Sequence, residues 1–469
     1  MKNHNIHTVQ RFLLLAVCVY ATSSVNAQSI TPQLLNQLRS NYQESPAERA
    51  LRNAIGSNDL RTLALNQQNL QAMDTHFTYE VKSKGITDQQ RSGRCWLFTG
   101  LNVLRARAIR DFDLGEFQFS QSYIFFYDQL EKSNLFLQSI IDTRRSPMDD
   151  RTVDWLFHNP LSDGGTFSGV ADLVTKYGLV PADVMPETYS ANHTARMSDL
   201  LRQKLRQFGL ELRDMSEKSA SEKQLLKRKE EMLGVIYKML ALNLGQPPTE
   251  FTWTMRNSKG EVVSSEQYTP LTFAHKLAAD PVLTDYVMVM NDPSHDYYKV
   301  YEIEFDRHTY DGQNWLYLNL PVEDIKQLAV SSLKDTAAMY FSCDVNKHLN
   351  SERGLLDMNN YDYASIMGTD FPMDKRQRVI TFASGSSHAM TLMAVDLDGD
   401  GKPVKWMVEN SWGAKSGYKG HLIMTDQWFD EYMFRLVVAR KYVPENLLAL
   451  MKQKPVKLPA WDPMFSMDE

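Results

Sequence analysis

The pattern of apolar and polar positions divides the chain into a helical part and a strand-rich part. After a polar loop, Leu97, Leu101 and Leu104 recur at the spacing of one helix face. Residues 195–280 have a mostly helical pattern and are too long for a loop. Residues 285–442 alternate as β-strands do. Helices and strands separated along the chain in this way predict an α+β fold.

Within residues 195–280 we expect one apolar helix face. The residues of this face are Leu200, Leu201, Leu205 and Leu210. Lys and Arg exceed Asp and Glu between Arg202 and Lys229. A solvated helix face or a subunit contact explains this excess better than nucleic-acid binding does, because the whole chain is acidic.

The first 27 residues have the pattern of a secretory signal peptide. A polar, basic start is followed by the apolar run Phe12–Ala21 and by the small-residue cleavage pattern Val25-Asn26-Ala27. An apolar run of about ten residues is too short to span a hydrocarbon core of about 30 Å. We therefore expect cleavage before Gln28, export to the periplasm or the extracellular space, and no membrane span in the mature chain. A lipid on Cys18 is the alternative.

Composition and charge are those of an ordinary globular protein. The 469 residues are 43% hydrophobic and 23% charged, with a formal charge of −6 at pH 7. These values exclude a disordered chain and give no general attraction to nucleic acid or anionic membranes. Three cysteines are too few for a disulfide scaffold or a multi-cysteine zinc site. Since no P-loop, dinucleotide-binding or zinc-protease motif is present, the sequence predicts neither a cofactor nor a metal.

One acidic segment has the start of a calcium-binding loop. Asp396, Asp398, Asp400 and Gly401 have the spacing of an EF-hand. The twelfth position of that loop requires a bidentate Glu and is occupied here by Met407. We interpret the segment as a glycine-containing hairpin turn.

The two cysteines that follow the signal segment have different surroundings. Cys343 lies in the apolar, strand-like run 337–345, where a thiol packs as a small hydrophobic group. Cys95 follows the polar loop and starts the helical pattern, so we expect it at or near a helix N-terminus. There the helix dipole favours the thiolate, the form that attacks carbon. Cys95 is therefore the candidate nucleophile, and a disulfide with Cys343 is not expected.

A cysteine nucleophile needs a proton acceptor and a group that orients the acceptor. His388 lies where a loop of small residues enters an apolar strand, which suits an accessible base; a core histidine is the alternative. A turn at residues 396–401 and a second strand then lead to Asn410. Two antiparallel strands would bring His388 and Asn410 to the same end of a hairpin. The amide oxygen could accept a hydrogen bond from the imidazole, and Trp412 could shield that bond.

These residues together resemble the papain-like cysteine peptidases. Gln89 precedes Cys95 by six positions and Asn410-Ser411-Trp412-Gly413 follows His388, which gives the order Gln, Cys, His, Asn. The segment Ser92-Gly93-Arg94-Cys95-Trp96 is similar to the bleomycin hydrolase and aminopeptidase C branch. Further similar segments are Ser120-Gln121-Ser122-Tyr123, Asp163-Gly164-Gly165, Tyr177-Gly178-Leu179-Val180-Pro181, Val184-Met185-Pro186-Glu187-Thr188, Tyr361-Asp362-Tyr363 and Leu458-Pro459-Ala460-Trp461-Asp462-Pro463-Met464.

The resemblance implies a cysteine-type aminopeptidase that hydrolyses N-terminal residues from peptides. Cys95 is the implied nucleophile, in an ion pair with His388 before substrate binds, and Asn410 is the residue that orients the ring. Gln89 and the backbone N–H of Cys95 are the implied oxyanion hole. The resemblance also implies a papain-like fold with a helical insertion and a homohexamer whose active sites face a central cavity.

The C-terminal tail is the segment to which the resemblance assigns exopeptidase selectivity. Residues 457–469 contain two prolines and two large apolar residues, Trp461 and Phe465, which can anchor the tail on the body. The resemblance places the tail in the cleft. The terminal carboxylate of Glu469 would then bind the α-ammonium of the substrate. A frayed chain end is the alternative.

The patterns and the resemblance together give an expected organisation of the chain. The segments are a signal peptide (1–27) and a papain-like peptidase of the bleomycin hydrolase type (28–469), the latter made of an N-terminal arm (28–80), a nucleophile-helix region (81–190), a helical insertion (195–280), a strand-rich region with the His and Asn (285–442) and a C-terminal arm (443–469). Two alternatives stay open, a non-peptidase scaffold or chaperone-like protein and an amide or lactone hydrolase of the same fold.

Overall fold

The structure is a computed structural model that describes residues 29–70, 74–279 and 283–465. The segment predicted as a signal peptide and the predicted substrate-binding residue Glu469 therefore lie outside the described residues. The chain divides into two compact units, residues 1–64 and residues 65–469.

The described part of the first unit consists of short helices with side-chain caps. They are α1 (Pro32–Asn41), α2 (Pro46–Ile55) and α3 (Leu60–Leu63). Thr31, Ser45 and Asp59 each accept a hydrogen bond from a first-turn N–H of the helix that follows, which satisfies donors that have no partner inside the helix. No side chain of the three helices is fully buried.

The second unit contains the large sheet and its covering helices. Its helices are α4 (Cys95–Asp111), α5 (Gln121–Asp142), α6 (Arg151–His158), α7 (Phe167–Tyr177), α8 (Tyr189–Asn192), α9 (Ala195–Glu217), α10 (Glu222–Leu244), α11 (Pro270–Leu277), α12 (Val322–Lys334), α13 (Tyr363–Met367), α14 (Lys375–Ile380), α15 (Asp426–Tyr432) and α16 (Glu445–Leu450). Its strands are β1 (Tyr79–Glu80), β2 (Phe251–Arg256), β3 (Val262–Tyr268), β4 (Tyr286–Met290), β5 (Lys299–Ile303), β6 (Leu316–Asn319), β7 (Met339–Cys343), β8 (Leu349–Asn350), β9 (Leu355–Leu356), β10 (His388–Leu397), β11 (Pro403–Glu409), β12 (His421–Thr425), β13 (Met433–Ala439) and β14 (Val456–Leu458).

The large sheet is mixed and has β10 near its centre. The strand order is β14-β5-β6-β4-β13-β7-β10-β11-β12-β9-β8, with β1 paired to β10. The strand β10 pairs antiparallel with both β7 and β11. It is buried continuously from His388 to Val395 because α4 and α12 both pack against it. A strand covered in this way carries an unbroken apolar run instead of an alternating one.

The nucleophile helix and the helical layer agree with the sequence pattern. α4 begins at Cys95, and Leu97, Leu101 and Leu104 of its predicted face are buried. α5, α9 and α10 pack against one another beside it. In the described ranges, none of the helices has both the length and the apolar character that crossing a bilayer requires.

The apolar face predicted for residues 195–280 is partly wrong. Leu201 and Leu205 are buried in α9, but Leu200 and Leu210 are 48% and 49% exposed. The buried face continues instead through Phe208 and other residues at three- and four-residue spacing. The same region also contains the hairpin β2–β3, which the helical prediction missed.

Candidate active site

The predicted catalytic residues lie around a cleft with a volume of about 710 Å³. Gln89, Cys95 and His388 line the cleft. Asn410 is buried behind His388, with a hydrogen bond between the two side chains. The four residues span 321 positions of the sequence, from Gln89 to Asn410. They lie close together because α4 packs against β10 and β10 pairs with β11.

Cys95 is the first residue of α4 and is partly exposed to the cleft. The rest of the first turn is buried, and the helix axis leads away from the thiol. The unpaired N–H groups of a helix N-terminus create a positive potential that favours the thiolate over the thiol. The position of Cys95 therefore suits a nucleophile.

Arg94 holds the segment that precedes Cys95. Its guanidinium is fully buried and donates two hydrogen bonds to the carboxylate of Glu187, at 3.1 and 2.7 Å. The Nε of Arg94 donates to Ser92 Oγ at 3.0 Å. A bidentate pair fixes both position and orientation, so the backbone just before the nucleophile is fixed from behind.

Gln89 is oriented by contacts on both ends of its amide. Its Oε1 accepts from Ser411 Oγ at 2.6 Å, and its Nε2 donates to the carbonyl of Ser92 at 2.7 Å. The backbone N–H of Gln89 donates to the carbonyl of Ser411 at 2.8 Å. Since the Ser92 carbonyl only accepts, the amide nitrogen must face it, and a flipped amide would lose this bond. Nε2 keeps a second hydrogen.

His388, Asn410 and Trp412 form the arrangement expected for an oriented base. His388 Nε2 lies 2.9 Å from Asn410 Oδ1. An amide oxygen only accepts, so Nε2 carries the hydrogen and Nδ1 is the basic nitrogen. The backbone N–H of Ser411 also donates to Asn410 Oδ1, at 2.8 Å. The Trp412 ring stacks on the imidazole with a centroid distance of 4.9 Å.

The electrostatics of His388 qualify the predicted ion pair. Burial lowers the pKa of His388 to about 4, although the hydrogen bond to Asn410 opposes the shift. The imidazole is therefore neutral at neutral pH unless a negative charge lies beside it. A thiolate on Cys95 would supply that charge, so the two charges must form together by transfer of one proton.

Cys343 lies on β7, directly opposite His388 in the register of the sheet. It is completely buried, and Cys95 and Cys343 are not joined in a disulfide, as predicted. Burial raises the pKa of the Cys343 thiol well above its ordinary value. Cys343 is thus a packing residue beneath the base, and its thiol stays protonated.

Among the described residues, one group of side chains has the spacing of metal ligands, and it is not part of the cleft. It consists of Asp292, His295 and Asp462. His295 Nδ1 is 2.7 Å from Asp292, and His295 Nε2 is 3.5 Å from Asp462. The hydrogen bond to Asp292 raises the pKa of His295. A protonated imidazole between two carboxylates accounts for the geometry without a metal.

Several residues that build the site are not apparent from the sequence alone. Ser411 belongs to a motif noted above, but its bond to Gln89 joins positions 322 residues apart. The buried pair of Arg94 and Glu187 joins two segments that were recognised separately. A buried arginine next to a nucleophile is a usable signal, because an arginine inside a protein needs an acidic partner.

Comparison with protein families identifies the architecture around this cleft. A sequence model described as the Peptidase C1-like family matches residues 29–465. The chain belongs to the Peptidase C1-like family. The predicted papain-like α+β fold is thereby confirmed, in accord with the mixed sheet and the helices described above.

Curated relatives of this Peptidase C1-like chain are similar over almost their whole length. Bleomycin hydrolase of Homo sapiens is 38% identical over 96% of this chain and 100% of its own. Aminopeptidase C of Lactobacillus delbrueckii subsp. lactis is 36% identical over 93% and 98% of the two chains. The crystal structure of PepW from Lactobacillus rhamnosis superposes with a TM-score of 0.89 at 36% identity, covering 93% of this chain and 98% of that one.

These relatives confirm the predicted enzyme class and correct the predicted compartment. The protein is a cysteine-type peptidase of the bleomycin hydrolase and aminopeptidase C type. The predicted export is wrong, because bleomycin hydrolase and aminopeptidase C are typically cytosolic. A short apolar run followed by small residues has few fixed positions, so residues 1–27 were weak evidence for a compartment.

Proposed function

We propose that the protein is an aminopeptidase that removes N-terminal residues from peptides through Cys95, His388, Asn410 and Gln89. The observation that carries this proposal is the 2.9 Å hydrogen bond from His388 Nε2 to Asn410, at a cleft that also exposes Cys95. This bond leaves Nδ1 of His388 as the proton acceptor. The names of the relatives, aminopeptidase C and aminopeptidase W among them, support the substrate class.

In the first half of the reaction, Cys95 forms a covalent bond to the substrate. His388 Nδ1 takes the thiol proton, and the thiolate attacks the carbonyl carbon of the first peptide bond. His388 then gives the proton to the leaving amine, which departs as the shortened peptide. In the second half, His388 takes a proton from water as the water oxygen attacks the thioester carbonyl carbon. The C–S bond then breaks, the amino acid leaves as a carboxylic acid, and His388 returns its proton to the Cys95 thiolate.

Gln89 stabilises the oxyanion in both halves of the reaction. Its Nε2 has one hydrogen engaged with the Ser92 carbonyl and one available for the cleft. The backbone N–H of Cys95, at the start of α4, is the second donor. Loss of one such donor typically raises the barrier by about 2.7–4 kcal/mol. The bond from Ser411 keeps the donor end of the amide toward the oxyanion.

The C-terminal arm supports the restriction to N-terminal residues. The guanidinium of Arg435 lies 5.6 Å from the ring of Phe465, and Arg435 lines the cleft. The four residues that follow Phe465 can extend by roughly 14 Å, at up to about 3.6 Å per residue. A segment of this length would allow the terminal carboxylate of Glu469 to enter the cleft, where it would bind the substrate ammonium.

The proposal is tested by assaying the purified protein on matched pairs of fluorogenic peptides. Each pair has the same sequence, with a free amino terminus in one member and an acetylated one in the other. We expect turnover of the free peptides, none of the acetylated ones, and complete loss after alkylation with iodoacetamide. Activity that survives alkylation would contradict a cysteine nucleophile, and equal turnover of both members would contradict an aminopeptidase.

The assembly state is part of the same proposal. The resemblance to the bleomycin hydrolase branch supports a homohexamer, whose central cavity would limit access to short or unfolded peptides. Sedimentation of the purified protein at several concentrations measures the mass directly. A monomer at all concentrations would contradict the hexamer and leave the catalytic proposal standing.

A further inference from the structure

One wall of the cleft is a short loop in which three successive carbonyl groups accept hydrogen bonds from side chains. Residues 162–165 line the cleft and include two glycines. The carbonyl of Ser162 accepts from Gln129 Nε2 at 3.0 Å and from Lys132 Nζ at 3.1 Å. The carbonyl of Gly164 accepts from Lys132 Nζ at 2.6 Å. One ammonium group therefore holds two of the carbonyls in this wall.

The indole of Trp96 holds the carbonyl between them. Trp96 Nε1 donates to the carbonyl of Asp163 at 2.7 Å, and Trp96 directly follows the nucleophile Cys95. Lys132 Nζ lies 5.3 Å from the centre of the Trp96 ring, within the range of a cation–π contact. The wall of the cleft and the start of α4 are thus connected through Lys132 and Trp96.

Lys132 is itself held by a buried acid and a buried histidine. Its Nζ is 3.0 Å from Asp128 Oδ2, one turn earlier on α5. His308 Nδ1 is 2.5 Å from Asp128 Oδ1, and His308 Nε2 accepts from the N–H of Thr166 at 3.3 Å. Asp128 and His308 are almost completely inaccessible to solvent, and the Lys132 side chain is 12% exposed.

The charges of this group balance without a contribution from the histidine. Burial raises the pKa of Asp128, but Lys132 and His308 outweigh it and lower the pKa below its ordinary value. Burial and the nearby ammonium of Lys132 lower the pKa of His308. Asp128 is therefore an anion, Lys132 a cation and His308 a neutral ring that donates from Nδ1. A buried anion and cation that are hydrogen-bonded to each other avoid the cost of an isolated charge.

The ring of His308 also fixes the path of the loop sterically. A methyl group added at Gly165 would lie 2.3 Å from His308 Cε1, and one added at Gly169 would lie 2.3 Å from its Cδ2. The His308 ring packs on Trp96 with a centroid distance of 4.6 Å. There is therefore no room for a side chain at Gly165 or Gly169, and glycine at both positions lets the loop pass close to the His308 ring.

We propose that Lys132, held by Asp128 and His308, is a positioning residue that sets the substrate-binding wall of the cleft. This inference rests on the proposed peptidase function. Without the ammonium, the Ser162 and Gly164 carbonyls lose a charged donor, and the two glycines allow the wall to rearrange. The substrate carbonyl then sits less well over Cys95, whereas His388 and Asn410, on β10 and after β11, keep their hydrogen bond. Lys132 thus acts on substrate placement and not on the reactivity of the thiol.

The test compares Lys132→Met with Lys176→Met as a matched control. Lys176 also pairs with an acid of α5, Glu131, but donates to no carbonyl of the wall. Three quantities are measured: KM and kcat on a free aminoacyl fluorogenic substrate, the rate of Cys95 alkylation by iodoacetamide, and the melting temperature. We expect Lys132→Met to raise KM about tenfold, with alkylation within about threefold of wild type. Lys176→Met should leave KM and the alkylation rate near those of wild type.

Two further variants separate positioning from loss of stability. Asp128→Asn with Lys132→Met removes both charges and leaves no unpaired ion. Gln129→Leu removes a neutral group that donates to the Ser162 carbonyl and to Asp128, and keeps the Lys132 ammonium. The double variant should reproduce the rise in KM, and Gln129→Leu should give a smaller rise. A KM within twofold of wild type in the folded double variant overturns the proposal. So does an alkylation rate that falls in parallel with kcat. An inactive wild-type protein would instead overturn the proposed function, which distinguishes the two failures.

Discussion

The burial of His388 makes the folded state sensitive to acid. Its pKa is lowered from 6.5 to about 4 by burial, so between these values the unfolded chain binds a proton that the folded chain does not bind. The stabilisation is present above pH 6.5 and is lost as the pH falls toward 4. We therefore compare Cys95→Ala with the double variant Cys95→Ala/His388→Gln. Between about pH 7 and pH 5, the free energy of unfolding should fall by about 2 kcal/mol more in the single variant than in the double variant. Urea unfolding measures the free energy of unfolding of both variants at each pH. An equal fall in the two variants would mean that the pKa of His388 in the folded protein is not lowered.

The two thiols allow a second prediction at the scale of single residues. Cys95→Ala should abolish turnover, because no other group at the start of α4 can attack the substrate. Cys343→Ala should keep most of the activity, since Cys343 is a buried packing residue whose raised pKa keeps it protonated. Steady-state kinetics of both variants at equal melting temperature test the assignment. Substantial turnover by Cys95→Ala would refute it.

The sequence predicts the proposed catalytic residues better than it predicts the residues that position the walls of the cleft. Cys95 and His388 stand out because each begins an element after a loop of small or polar residues, a local pattern that a sequence displays. The partners of Lys132 could not be found in this way. Its spacing to Asp128 is that of an ordinary surface ion pair on a helix, and His308 comes from a segment 180 positions away.

At the scale of elements, one buried ion pair joins α4, which begins at Cys95, to β11, which Asn410 follows. Arg105 of α4 donates to Glu409, the last residue of β11, and both side chains are at most 2% exposed. Burial raises the pKa of Glu409, and Arg105 opposes this shift. The pair therefore fixes the position of α4 relative to β11, and with it the position of Cys95 relative to Asn410.

Arg105→Met should lower the free energy of unfolding by about 3–5 kcal/mol, because it leaves the Glu409 carboxylate buried without a cation. Arg110→Met on the same helix is the control. Its guanidinium is half exposed and pairs with Asp111 at the surface, where such a pair contributes about 0–1 kcal/mol. Chemical denaturation of the two variants gives both values. A loss no larger for Arg105→Met than for Arg110→Met would show that the buried pair adds nothing to stability.

The elements themselves could be predicted where local pattern and tertiary position agree. The helix at Cys95 and the hairpin of β10 and β11 are of this kind. The turn of the hairpin lies at residues 398–402, close to the predicted 396–401. In α9 the sequence offers Leu200 and Leu201 side by side, and only packing against α5 and α10 decides that Leu201 is buried. The hairpin β2–β3 was missed because the alternation of apolar and polar residues in 251–256 is short. The hairpin also lies between the long helices α9 and α10 on one side and α11 on the other.

At the scale of the whole molecule, the described part of the C-terminal arm packs on the rest of the second unit. The strand β14 pairs in parallel with β5. After it, Asp462 lies 3.5 Å from His295 Nε2, and Met464 and Phe465 are buried, Phe465 against Trp315 at 5.4 Å. The anchor up to Phe465 is therefore independent of the four residues that follow it. Removing only residues 466–469 should leave the arm in place and change only what reaches the cleft.

Deletion of residues 466–469 should weaken cleavage of free amino termini and admit substrates that the full chain excludes. The reason is that, in the proposed function, the carboxylate of Glu469 would bind the substrate ammonium and block the cleft upstream of the first residue. Kinetics on free and acetylated versions of one peptide, and on a peptide labelled at an internal bond, measure the change in preference. Glu469→Gln is the matched control, because it removes the side-chain carboxylate and keeps the terminal one. If Glu469→Gln alone reproduces the effect of the deletion, the side chain is the anchor; if the deleted chain still prefers the free amine as strongly as wild type, the arm is not the selectivity element.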